Sequence, residues 1–97
     1  MEKILALDLS TTTTGFAIGE KNKLEKHGII SSNLKTSIAR IVEMRQYISN
    51  LIKNNNIQKI VVEEVRPEYN SHTMKILMWL QAAIVIATYE IDKNIEF

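Results

Sequence analysis

Three carboxylates in this sequence stand at the ends of apolar runs, where they could meet a cation. Asp8 closes the run Lys3-Ile4-Leu5-Ala6-Leu7 and is followed by Leu9, Ser10, four threonines at 11–14 and Gly15. Glu63 and Glu64 close a second run, Lys59-Ile60-Val61-Val62. A buried acid is costly unless something positive faces it. On its own segment Asp8 has two equally suitable occupants. One is the backbone N–H groups of the threonine turn, with Asp8 as a turn cap; the other is a divalent metal, which hard carboxylate oxygens bind.

The elements decide whether these acids meet. Residues 3–9 read as a buried strand with both faces covered, Ile4, Ala6 and Asp8 sharing one of them. After the threonine turn, residues 15–19 return as a second strand, Glu20-Lys21-Asn22-Lys23 forms a polar hairpin tip, and residues 24–31 make a third strand. Three strands with such short links predict an antiparallel meander. Over about residues 33–54, Leu34, Ile38, Ile41, Val42, Arg45, Ile48, Leu51 and Ile52 recur at helical spacing. Ser31, Ser32 or Asn33 supplies a cap and Asn55 a left-handed exit.

A crossover of that length predicts that the β-branched run 59–65 pairs parallel to the first strand. Its terminal acids then arrive at the sheet edge that carries Asp8. Alternation lets only one of Glu63 and Glu64 share a face with Asp8. Alone, the pair reads as an ordinary solvated strand end; its coincidence with Asp8 favours a site. Residues 66–70 form a loop around Pro67, in which Tyr69 either stacks on a nucleic-acid base or covers the end of the core.

Ser71 is expected to cap a second helix reaching about Asp92, with Met74, Leu77, Met78, Gln81, Ala82, Val85, Ile86 and Tyr89 on one broad apolar side that Leu80, Ile84 and Ala87 widen. That stripe exceeds what one sheet face covers, so part of it is expected to bury against another subunit. Trp79 lies off the main stripe, as an interface residue or packed on the sheet edge. Residues 94–97 look like the start of a fifth strand.

Composition sets bounds on all of this. Ninety-seven residues, 45% hydrophobic and 24% charged, suit a single globular domain. Twelve basic against eleven acidic residues, a net charge of +1, argue against nucleic-acid binding by overall charge while leaving a local basic patch open. The absence of cysteine removes disulfides, thiolate metal sites and thiol nucleophiles and fits a reducing compartment. The N-terminus carries no signal-peptide pattern. The apolar stretch 74–87, interrupted by Lys75 and Gln81, is too short to span a bilayer. The expected location is cytoplasmic, with no membrane partner.

The segments Asp8-Leu9-Ser10-Thr11-Thr12-Thr13-Thr14-Gly15 and Ile60-Val61-Val62-Glu63-Glu64-Val65, with Asn70-Ser71 opening a long helix that carries Leu77, Gln81, Ala82, Val85 and Ile86, resemble the RuvC family of Holliday-junction resolvases over nearly the whole chain. The resemblance implies an α/β, ribonuclease H-like fold: a mixed sheet of about five strands, the first three antiparallel, flanked by helices, in a homodimer. It implies Asp8 and Glu63 as catalytic metal ligands, with Glu64 as the reserve choice. Mg2+ or Mn2+ would be the cofactor in two-metal phosphodiester hydrolysis, and branched DNA, a four-way junction, the substrate. Ser10, Thr11, Arg66 and Tyr69 are then the candidate DNA contacts, and Met78, Trp79, Gln81 and Ala82 the candidate dimer contacts.

The chain departs from that pattern twice. Leu9-Ser10 replaces the family's Pro-Gly, and the family's two acids on a last helix are absent, since the sequence stops as the fifth strand begins. Asp92 and Glu96 do not fit the missing positions by spacing. The expectation is one ribonuclease H-like domain over residues 1–97, incomplete at its C-terminus, holding half a metal site and inactive alone. Two other readings compete. One is a phosphate-binding domain of the sugar kinase and actin type, whose first hairpin wraps ATP phosphates; the other is a dimerising domain without chemistry.

Overall fold

Leu5 and Leu7 are buried while Ile4 and Ala6 are half-buried and Asp8 is exposed, and this alternation fixes which side of the sheet carries the core. The computed structural model describes residues 2–63 and 70–97. Its elements are β1 (Ile4–Asp8), β2 (Thr13–Glu20), β3 (Lys23–Ser31), α1 (Ser37–Asn54), β4 (Lys59–Val62) and α2 (Ser71–Ile91). The sheet order is β3-β2-β1-β4. β1 and β2, and β2 and β3, pair antiparallel, whereas β4 joins β1 in parallel after the α1 crossover. Glu96 adds a single parallel bridge to Lys59, with the Ile60 N–H donating to the Glu96 carbonyl at 2.8 Å, so a fifth strand is begun beside β4.

Both helices lie against the Leu5 face. Leu5, Leu7, Ile18, Ile30 and Ile60 of the sheet meet Ile41, Met44, Ile48 and Ile52 of α1 and Ile76, Leu80 and Ile84 of α2. Each buried side chain of this size contributes about 1.5–3 kcal/mol by leaving water. β1 is therefore not covered on both faces as its apolar run suggested; with both helices on one side, the Asp8 face is bare among the described residues. At the β2–β3 turn the register shifts between Ile18 and Gly19, and a Cβ at Gly19 would run into the Lys23 carbonyl, so the bulge requires glycine.

The helix starts differ from those expected. The Ser32 N–H still donates to the Thr12 carbonyl at 2.9 Å, tying residues 31–32 to the end of β2. α1 begins only at Ser37, where the Thr36 hydroxyl accepts from the Ala39 N–H at 3.1 Å. Its buried stripe includes Met44, while Ile38 and Val42 are exposed. The left-handed residue after α1 is Asn56, with φ of 52°, and Asn55 instead donates its side-chain N–H to the Leu51 carbonyl.

α2 is capped by Asn70, whose Oδ1 accepts from the Thr73 N–H at 2.8 Å, and not by Ser71. It buries Ile76, Leu77, Leu80, Ile84 and Thr88, leaving Met78, Val85, Ile86 and Tyr89 of the expected stripe in solvent. The buried Thr88 hydroxyl is satisfied by the Ile84 carbonyl at 2.7 Å. At 21 residues α2 is long and apolar enough, by length and composition alone, to cross a membrane, although the apolar stretch 74–87 within it is shorter. A soluble core helix passes the same test, and Leu80 and Ile84 of α2 lie in the core.

Candidate active site

The parallel register of β1 and β4 sets Leu7 opposite Val62, and the Glu63 N–H donates to the Leu7 carbonyl at 3.0 Å. Glu63 thus stands one residue beyond β4, level with Asp8. Ala6 pairs with Val61, so parity places Asp8 and Glu63 on the same face. On the other side of Asp8 lies Gly15 of β2, where an added Cβ would sit 3.8 Å from the Asp8 Cβ. Glycine there leaves the flank of the carboxylate open.

Asp8 is exposed and accepts no hydrogen bond among the described residues. Its burial cost, the starting point of the sequence argument, therefore does not arise. The turn-cap role expected as one option for Asp8 belongs to Ser10, whose Oγ accepts from the Thr12 and Thr13 N–H groups at 3.2 and 3.4 Å. Thr14, completely buried, locks the same loop: its Oγ1 donates to the Ser10 carbonyl at 2.7 Å and accepts from the Ser10 N–H at 3.2 Å. In a segment with five adjacent hydroxyls, the sequence offers no signal for which of them caps the turn.

Two carboxylates on one face suit a hexahydrated-type cation such as Mg2+, which keeps several waters and takes one or two protein carboxylates plus phosphate oxygens. The described residues include no group of three or more His, Cys, Asp or Glu side chains able to enclose an ion. Asp92 and Glu96 lie away from Asp8, Glu96 pairing with the first residue of β4 at the opposite end of the strand. Glu64, Arg66 and Tyr69, named from sequence, fall outside the described residues.

Of the remaining candidates, Thr11 accepts from Arg40 Nε at 3.5 Å, so Arg40, which no motif singled out, brings a cation against the loop after β1. Met78, Trp79 and Ala82 are exposed and Gln81 is half-buried. Trp79 stacks under Lys75, whose Nζ is 5.6 Å from the ring centroid. Met78, Ala82, Val85 and Tyr89 recur at alternating spacings of three and four along the outer side of α2, with Trp79 and Ile86 beside them.

Three antiparallel strands, a parallel fourth reached through a helix, and acids at the C-terminal ends of the paired parallel strands β1 and β4 define a ribonuclease H-like α/β protein. Within that class the chain is similar to RuvC proteins. It is 35% identical over 86 residues to the crossover junction endodeoxyribonuclease RuvC of Aliarcobacter butzleri (strain RM4018), a match covering 84% of this chain and 56% of that protein. The structure of T. thermophilus RuvC in complex with Holliday junction substrate superimposes with a TM-score of 0.81 at 14% identity, covering 93% of this chain and 59% of that one. A second Thermus thermophilus RuvC structure matches with a TM-score of 0.74 at 14% identity, over 91% of this chain and 58% of that one. The structural matches carry the fold and the sequence match carries the resemblance to RuvC. No family model matches the chain. The chain spans a little over half the length of each of these relatives.

Proposed function

We propose that this chain supplies part of the catalytic core of a structure-selective endodeoxyribonuclease that hydrolyses phosphodiester bonds in branched DNA, four-way junctions in particular, as a cytoplasmic homodimer. The observation that carries this reading is the juxtaposition of Asp8 and Glu63 on the bare face of the sheet, one at the end of each of two paired parallel strands. One relative bears the name of a crossover junction endodeoxyribonuclease, and a structural match is described in complex with a Holliday junction substrate.

In this reading Asp8 and Glu63 hold Mg2+ or Mn2+, with Glu64 as the reserve ligand. When bound, such ions polarise a phosphoryl oxygen and lower the pKa of a coordinated water. The chain's own contribution is positional. The Ser10–Thr14 hydrogen bonds hold the loop that follows Asp8, the β1–β4 ladder sets Glu63 level with it, and Gly15 keeps the approach open. Residues 1–97 are read as one domain, in which no third His, Cys, Asp or Glu among the described residues joins Asp8 and Glu63.

The test is a Mg2+ and Mn2+ titration of the purified chain followed by calorimetry or by NMR of Asp8 and Glu63. A millimolar-range response that disappears in Asp8→Asn and Glu63→Gln is expected; identical responses in all three proteins would remove the metal reading. Incubation with a four-way junction and with linear duplex then reports substrate choice. A second reading, a dimerising domain without chemistry, draws on the exposed outer stripe of α2 and predicts no divalent response at all.

A further inference from the structure

Behind Asp8, on the helix side of β1, the loop after the strand and the first turns of α1 and α2 enclose a cleft of about 390 Å³. Its polar lining is Ser10, Thr11, Ser37, Arg40, His72 and Thr73, over an apolar floor. No carboxylate among the described residues lines it.

Arg40 is a half-buried cation of this cleft, and among the described residues its hydrogen-bond partners are all neutral oxygens. Nε donates to Thr11 Oγ1 at 3.5 Å, one terminal nitrogen to the Leu34 and Lys35 carbonyls at 3.0 and 3.2 Å, and the other to Ser37 Oγ at 3.2 Å. A guanidinium has five N–H donors, so these four bonds fix the plane of the fork and leave one donor over. Charge partly withdrawn from water and unmatched by an acid draws an anion more strongly than a solvated cation does. A planar, immobilised fork suits phosphate oxygens in particular. His72 presents an N–H donor in either tautomer, and the Ser10, Thr11 and Thr73 hydroxyls add donors around the same space.

We propose that this cleft seats one non-scissile phosphate of a nucleic-acid backbone, with Arg40 as the anchoring cation and His72 as a second donor. The nucleic-acid assignment rests on the nuclease reading above; the phosphate chemistry of the cleft rests on Arg40 and its surroundings alone. Phosphate contacts fix register without reading sequence. A phosphate held on the helix side of β1 sets the position of the strand that crosses to Asp8 and Glu63 on the other side.

The test follows the Arg40 Nε–H and the His72 ring by NMR in the 97-residue chain, first with inorganic phosphate, then with ATP, then with four-way junction DNA without divalent ions. Saturable shifts of both side chains with phosphate are expected, undiminished in Asp8→Asn and lost in Arg40→Gln. Because Arg40 also ties the loop before α1, two further variants accompany it. Arg40→Lys keeps the charge and should retain weakened binding, and His72→Ala alters an exposed side chain and should weaken phosphate binding several-fold with the fold intact. For junction DNA, the slope of log K against log salt should fall by about one in Arg40→Gln. Junction binding with an unchanged slope and unchanged phosphate shifts in the Arg40 and His72 variants would overturn the site and leave the nuclease reading standing. Arg40-dependent phosphate or ATP binding without junction binding would overturn the backbone assignment and the nuclease reading together.

Discussion

Thr14 is a threonine used for its hydroxyl, not its methyl. Completely buried, it satisfies both backbone polar groups of Ser10 and so anchors the loop that leaves Asp8. Thr14→Val keeps the shape and strips both bonds, leaving the N–H and carbonyl of half-buried Ser10 without that partner. A buried polar group left unsatisfied costs about 1–3 kcal/mol, and in a domain of this size each kcal/mol lowers Tm by roughly 4–8 °C. Urea unfolding should show a lower midpoint with an unchanged slope. Asp8→Asn gives the opposite result. Asp8 is exposed and accepts no hydrogen bond among the described residues, so its stability should stay within about 0.5 kcal/mol of the parent while its divalent response is lost. Stability and metal response thus separate at two positions on either side of one loop, at the end of β1 and the start of β2.

At the level of elements, what could be read in advance followed from periods, and what could not followed from surfaces. A strand repeats every two residues, so alternation alone lets only one of Glu63 and Glu64 share the face of Asp8; the Ala6–Val61 register, which the sequence does not show, makes Glu63 the acid level with it. Helix rotation has no such anchor when the sequence is apolar on all sides. In α2, Ile76, Leu80 and Ile84 went to the core and Met78, Val85 and Ile86 to solvent, a choice made by the one available sheet face and by α1 beside it. Caps were obscured for a related reason, since Ser31, Ser32, Asn33 and Thr36 are all competent and only the sheet bond from Ser32 to Thr12 rules on them. The two sides of α2 are accordingly expected to respond differently. Leu80→Ala should cost about 2–5 kcal/mol, as large-to-small changes in cores do. Ile86→Glu, at a position 59% exposed, should leave the thermal melt of the dilute protein unchanged while lowering the mass seen in sedimentation velocity.

For the whole molecule, the geometry makes association and access to the acids compatible. Asp8 and Glu63 lie on the bare face of the sheet, whereas Met78, Trp79, Val85, Ile86 and Tyr89 lie on the outer side of α2, beyond the helix layer. A second copy seated on α2 would cover five exposed large apolar side chains and leave both pairs of acids facing outward, which the proposed nuclease function would need. The same arrangement couples stability to concentration. A domain with helices on one face of its sheet has a small core for its length, and a partner that binds only the folded form stabilises it by mass action, by about 2.7 kcal/mol when present at roughly 100 times Kd. Calorimetric scans across such a range should therefore show Tm rising with protein concentration, by several degrees for each kcal/mol gained. Trp79→Glu, which places a carboxylate in the middle of the stripe, should hold Tm at the dilute value throughout. A Tm independent of concentration in the parent chain would mean that α2 keeps its outer face in water, and a concentration dependence that survives Trp79→Glu would move the interface to another surface.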